Sequence, residues 1–278
     1  MLLTDDFVFI HPPKTGGTFV TSMLERVYRY RKPRTVLQKV ISGLTRPRVV
    51  RTNKHGNCAS IPTSHRGRPI LGVIRSPWSQ YVSEYHFGWW KENLSKRIDR
   101  ARAVREFPDF PELSFAEYIR FANEYQGQLL RLREGPGNAP GYMTRRFAHF
   151  FFVDGGAGVS RMDSGYIERE GWKEDMFPVR FLRQHRLNGD LHAFLQEMGH
   201  RPEDISFILD HGNVLPRTPS LGSRADRHWS EYWTPDLEEY VRDSERVLFS
   251  IFPDLPREAR AGSTNPLVAP GGAAPGTS

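Results

Sequence analysis

Apolar residues in this chain follow two rhythms. Residues 7–10 (FVFI) and 69–75 (PILGVIR) are short continuous apolar runs, each leading into a proline turn (His-Pro-Pro and Ser-Pro-Trp). They are too short for helices and predict strands buried on both faces. Helical spacing follows each: Phe19, Val20, Met23, Leu24 and Val27 after the first, and Trp78, Tyr81, Val82 and Tyr85 after the second. The chain therefore opens on two strand, loop, helix units. Further strands are predicted at 147–153 and 179–182, and a helix through Leu191, Phe194, Leu195 and Met198 that closes at Gly199. The charged stretch 91–105 predicts an exposed helix, and Ser114 with Glu117 a capping box ahead of Phe115, Tyr118, Ile119 and Ala122. Thr234-Pro235 starts a last helix whose apolar face is predicted to carry Leu237, Tyr240, Val241, Val247 and Leu248.

Residues 28–68 are basic and broken by Pro33, Pro47 and Pro62, which predicts a connection with little regular structure and one short helix near 35–41. Residues 135–141 (GPGNAPG) read as a loop. Residues 262–278 carry too little apolar surface to order themselves, so a single domain is expected over residues 1–261. The alternation of strand and helix predicts an α/β fold: a P-loop-like three-layer domain with a central, mainly parallel sheet flanked by helices. No internal repeat is visible.

Composition narrows the partners. The 278 residues are 38% apolar, enough for an ordinary core. No window offers the roughly 20 apolar residues of a membrane helix, and Asp5 and Asp6 spoil a secretion signal. A lone cysteine, Cys58, excludes an internal disulfide framework and a zinc site of several thiolates, so a cytoplasmic location is expected. The excess of 39 Lys and Arg over 32 Asp and Glu, formally +7, favours anionic partners, and the predominance of arginine suits phosphate oxygens.

The stretch HPPKTGGTF joins the first predicted strand to its helix. Such a loop aims several backbone N–H groups at one point, where the helix dipole also favours negative charge. Its glycines, Gly16 and Gly17, permit close approach, Lys14 adds a mobile cation, and Thr15 and Thr18 offer hydroxyls. The alternative is a Gly-Gly turn with a surface lysine. The triphosphatase pattern G-x-x-x-x-G-K-[ST] is absent, since no Gly-Lys-Ser or Gly-Lys-Thr occurs.

FIHPPKTGGT resembles the 5′-phosphosulfate loop of sulfotransferases that use 3′-phosphoadenylyl sulfate (PAPS), particularly the branch acting on carbohydrates. VIRSPWSQYVSEYHF is similar to that family's 3′-phosphate motif, in which an arginine ends a strand and a serine follows on the next helix; here these are Arg75 and Ser83. Without the resemblance, Arg75 would pair with a carboxylate and Ser83 would be an ordinary helix-surface serine. The segment PVRFLRQHRLNGDLHAFLQEMG is similar to a later family element but has Gln184 and His185 where an acid is common. RTPSLGSRADRHW resembles the basic loop that closes over the nucleotide, with Arg224 as its contact. Residues 92–146 match nothing in the family and are expected to shape the acceptor site.

The resemblance implies that Lys14 stabilises the leaving phosphate, and that the backbone of Thr15, Gly16, Gly17, Thr18 and Phe19 holds the 5′-phosphate. Arg75, Ser83 and Arg224 complete nucleotide binding. No metal and no nucleic acid is called for, and the partners are PAPS, its product and a hydroxyl-bearing acceptor, a carbohydrate or small metabolite. A histidine suits proton abstraction at neutral pH. Of ten histidines, His55 in NKHGNCASIP is the first candidate, because several carbohydrate-sulfating relatives carry a Lys-His or His-Gly stretch there. Glu25 and His86 are the alternatives, although relatives that use a glutamate carry it where Met23 stands. Trp78, Trp89 and Trp90 are candidates for stacking on the acceptor. A P-loop kinase or other nucleotide transferase, and a non-catalytic nucleotide or nucleic-acid binder, are the rival readings.

Overall fold

The computed structural model describes residues 1–29, 49–93, 100–126, 140–212 and 229–255. Five strands, β1 (Leu2–Thr4), β2 (Val8–Phe9), β3 (Val49–Arg51), β4 (Ile70–Ile74) and β5 (Val179–Arg183), form one open sheet in the order β3-β1-β2-β4-β5. Strands β2, β4 and β5 run parallel, while β1 is antiparallel to both β2 and β3. The sheet is therefore mixed rather than mainly parallel. The cause is local: the Thr4 N–H donates to the Phe7 carbonyl at 3.0 Å, turning the chain at Asp5-Asp6 so that Leu2 and Leu3 lie back against Phe9 and Val8. Neither β1 nor β3 has enough residues for its alternation to stand out, and β3 lies in the basic stretch expected to lack regular structure.

The helices, in chain order, are α1 (Gly17–Val27), α2 (Pro77–Phe87), α3 (Trp89–Glu92), α4 (Arg100–Glu106), α5 (Phe115–Phe121), α6 (Tyr142–Phe151), α7 (Ser164–Glu168), α8 (Trp172–Asp175), α9 (Leu187–Glu197), α10 (Pro202–Ile205), α11 (Pro235–Ser244) and α12 (Arg246–Ile251). They cover both faces of the sheet, as the strand alternation requires. Phe7, Phe9, Leu71, Val73 and Leu182 pack with α1, α9 and α10 in one core, whereas Val8, Ile10, Ile70 and Ile74 pack with α2, α5, α6, α11 and α12 in the other. Gly72 faces the second core, where a Cβ would lie 2.9 Å from the Phe151 ring.

Other expectations change as well. Residues 147–153 do not form a strand: through Phe151 they belong to α6, and Phe152 makes only an isolated bridge to Met176. Helix α6 is buried almost all round, so its apolar run lacks a polar face, and periodicity cannot separate such a helix from a buried strand. The last helix is two. It breaks at Glu245, whose carboxylate is drawn into the core, and Tyr240 is 38% exposed instead of packed. The capping box at Ser114 and Glu117 and the turn at Gly199 (φ 84°) stand as predicted. In the charged stretch, α3 and α4 are separate short helices, with 94–99 outside the described residues. The predicted helix near 35–41, most of the 135–141 loop and the 262–278 tail also lie outside them.

Candidate functional site

Strands β2 and β4 are parallel neighbours, Val8 opposite Ile70 and Phe9 opposite Leu71, so the loops after them open at the same end of the sheet. That is where open α/β sheets carry ligands. The first loop is tightly wound. Lys14 (φ 59°) and Gly16 (φ 98°) both adopt left-handed backbone, which a lysine takes only when its surroundings compel it. Helix α1 then starts hard against His11: a Cβ on Gly17 would sit 2.2 Å from the His11 Cδ2.

Side chains from three places hold the loop's carbonyl groups. Gln80 Nε2 and Arg146 Nη2 donate to the Pro13 carbonyl at 3.3 and 3.2 Å, and Arg75 Nη1 donates to the Lys14 carbonyl at 3.1 Å. Thr15 Oγ1 donates to the Pro12 carbonyl at 3.0 Å. By contrast, the N–H groups of Thr15, Gly16, Gly17 and Thr18 make no backbone hydrogen bond of good geometry among the described residues. The Phe19 N–H instead donates to the Gly16 carbonyl at 3.0 Å, and its ring lies in the core. The Lys14 ammonium rests 4.1 Å from the centre of the Phe87 ring, at the end of α2.

Arg75 is braced from the second unit, its Nε donating to Ser79 Oγ at 2.9 Å. Ser83 lies one turn further along α2 and is half-buried. Sequence reading missed Arg146 and Gln80. Arg146 is buried (3% exposed) and donates to Glu84 Oε1 at 2.5 Å and to the Tyr142 hydroxyl at 3.3 Å. It comes from the end of the stretch assigned to acceptor binding, and no motif marks it. Gln80 could have been found, since it sits between Ser79 and Tyr81 on a helix whose apolar face was already clear.

His55 stands beside the loop. Its Nδ1 lies 3.0 Å from the His11 carbonyl, which can only accept, so Nδ1 carries the proton and Nε2 of the neutral ring is an acceptor. The residue is exposed, yet its ring packs edge-on against His11 with centroids 5.4 Å apart. Partial desolvation, helped by the charges of Lys54 and Arg146 and opposed by the His11 carbonyl, holds the imidazole below its ordinary pKa. His11 itself is buried, with Nδ1 3.3 Å from Thr21 Oγ1, and burial chiefly, with His55 and Lys54 nearby, lowers it to about 3. The other candidate bases are engaged: Glu25 is paired with Arg51, and His86 Nε2 is 2.7 Å from the Tyr232 hydroxyl.

Of the three tryptophans, Trp78 packs edge-on against Trp233 at 4.8 Å and Trp90 is buried, whereas Trp89 is 46% exposed. Arg224 lies outside the described residues. Among the described residues, no group of three or more His, Cys, Asp or Glu side chains could hold a metal, and no helix is long and apolar enough to cross a membrane. No family model matches the chain, and no curated protein matches it either.

Proposed function

We propose that the chain is a PAPS-dependent O-sulfotransferase acting on an acceptor hydroxyl, with a carbohydrate as the favoured acceptor class. One observation carries the reading: the loops after two adjacent parallel strands meet, the Arg75 guanidinium donating to the Lys14 main-chain carbonyl at 3.1 Å. Two basic loops side by side suit a nucleotide with separate 5′ and 3′ phosphates, and the lysine before the glycines suits a 5′ end that carries sulfate instead of a magnesium-bound triphosphate.

PAPS supplies the sulfuryl group and leaves as 3′-phosphoadenosine 5′-phosphate (PAP). The backbone N–H groups of residues 15–18 take the 5′-phosphate, and Arg75 with Ser83 takes the 3′-phosphate. As the acceptor oxygen bonds to sulfur and the bond from sulfur to the phosphate oxygen breaks, negative charge grows on the leaving oxygen. Lys14 offsets that charge, an interaction stronger in the transition state than before it. His55 Nε2 takes the acceptor proton.

Calorimetric titration with PAP, ATP and single-stranded DNA separates this reading from its rivals. Metal-independent binding of PAP alone supports it, and a chain that binds ATP or DNA but not PAP rules it out. Lys14→Ala should lower transfer by roughly 10²–10³, the usual effect of removing one donor aimed at developing charge. Wild-type turnover in that variant would remove Lys14 from the mechanism.

A further inference from the structure

A peptide unit is planar and trans, so its carbonyl and the next residue's N–H point opposite ways. Fixing one fixes the other. In the loop after β2, Gln80 and Arg146 hold the Pro13 carbonyl and Arg75 holds the Lys14 carbonyl. These donors come from three places, α2, α6 and the end of β4. The Lys14 and Thr15 N–H groups are thereby turned away from the donors that hold their peptide carbonyls, and the peptide between Lys14 and Thr15 is held with Lys14 at φ 59°, a conformation a free chain seldom visits.

Arg75 therefore does more than end β4. Its Nε is anchored on Ser79 at 2.9 Å, which leaves Nη1 placed against the Lys14 carbonyl at 3.1 Å. We propose that Arg75 serves both phosphate subsites: besides meeting the 3′-phosphate, it is a positioning residue for the 5′ loop, locking the Lys14–Thr15 peptide so that the Thr15 N–H faces the bound 5′ group. This rests on the sulfotransferase reading and adds a link between the two loops that a pair of independent phosphate contacts would lack.

A ligand without a 3′-phosphate tests the link. Adenosine 5′-phosphosulfate cannot touch a 3′-phosphate contact, so an arginine with that role alone would not affect it. Calorimetry should show wild-type binding of both PAP and adenosine 5′-phosphosulfate. Arg75→Lys keeps the positive charge but loses the forked reach, and should weaken adenosine 5′-phosphosulfate by roughly tenfold, the scale of one charge-assisted hydrogen bond. Ser79→Ala changes no charge, leaves α2 intact by circular dichroism and should weaken the same ligand severalfold. The proposal fails if both variants bind adenosine 5′-phosphosulfate as wild type does while Arg75→Lys loses PAP. It fails equally if wild type binds PAP but not adenosine 5′-phosphosulfate. Wild type binding neither ligand would instead overturn the sulfotransferase reading itself.

Discussion

A histidine that gives its Nδ1 hydrogen to a main-chain carbonyl presents its other nitrogen as a base, and His55 does this through the His11 carbonyl. Its depressed pKa sets the pH behaviour. A base must be neutral to act, so kcat/KM should fall only as pH drops through a value below the ordinary 6.5 or so of histidine. The acid limb should disappear in His55→Ala together with most of the rate; an unchanged pH profile in that variant would assign the proton to another group. At this scale sequence reading went part of the way. The order of Lys14, the glycines and Arg75 is a linear pattern, and so is the histidine between them. The tautomer of His55 is not, because its partner carbonyl lies 44 residues away and is met only when β1 and β3 bring the 53–56 turn to the loop. Glu25 illustrates the reverse case: its pairing with Arg51 across the β3 side is equally invisible in the sequence and weakens it as a base.

Helix α6 shows how one element ties the site to the rest of the fold. Its first turn has no capping side chain of its own. Fully buried Glu245 fills the role from the junction of α11 and α12, accepting from the Met143 N–H at 3.0 Å, the Thr144 N–H and hydroxyl at 2.7 Å each, and the Tyr81 hydroxyl at 2.5 Å. An anion at a helix N-terminus also meets the positive end of the dipole. Glu245→Ala would strand these buried donors and should cost about 3 kcal/mol or more, read as a lower urea midpoint with an unchanged slope. Gly141→Ala should destabilise through the same contact, since its Cβ would fall 2.3 Å from the Glu245 Oε1. The error over 147–153 has the same root. Thr144 and Arg146 are buried polar residues held by distant partners, so α6 has no solvated face to set its apolar run apart from a buried strand.

For the molecule as a whole, the apolar runs at 7–10 and 69–75 were legible because they are buried on both faces; with 179–182, where Leu182 is buried and Arg180 exposed, they supply the parallel pairing among the described residues. The antiparallel edge was not, since β1 and β3 are three residues each and are fixed by partners instead of by pattern. Buried His11, packed against the start of α1, makes the fold sensitive to acid. The unfolded chain protonates this histidine near pH 6.5 and the folded chain only near 3, so stability rises with pH across that window and is lost as pH falls through it. Melting temperature should therefore drop more steeply from pH 6.5 to 4 in wild type than in His11→Gln; parallel curves would mean that other groups dominate acid unfolding.

The Glu245 cap has a consequence for how the chain tolerates cutting. Arg146, which grips the Pro13 carbonyl, rides on α6, and the start of α6 is moored to a residue a hundred positions later. A protease nick after Ser244 would leave the sequence of the loop after β2 untouched and still slacken it. The distal helices brace the loop after β2 at long range, and fragments ending before them should lose the proposed nucleotide binding before they lose the sheet.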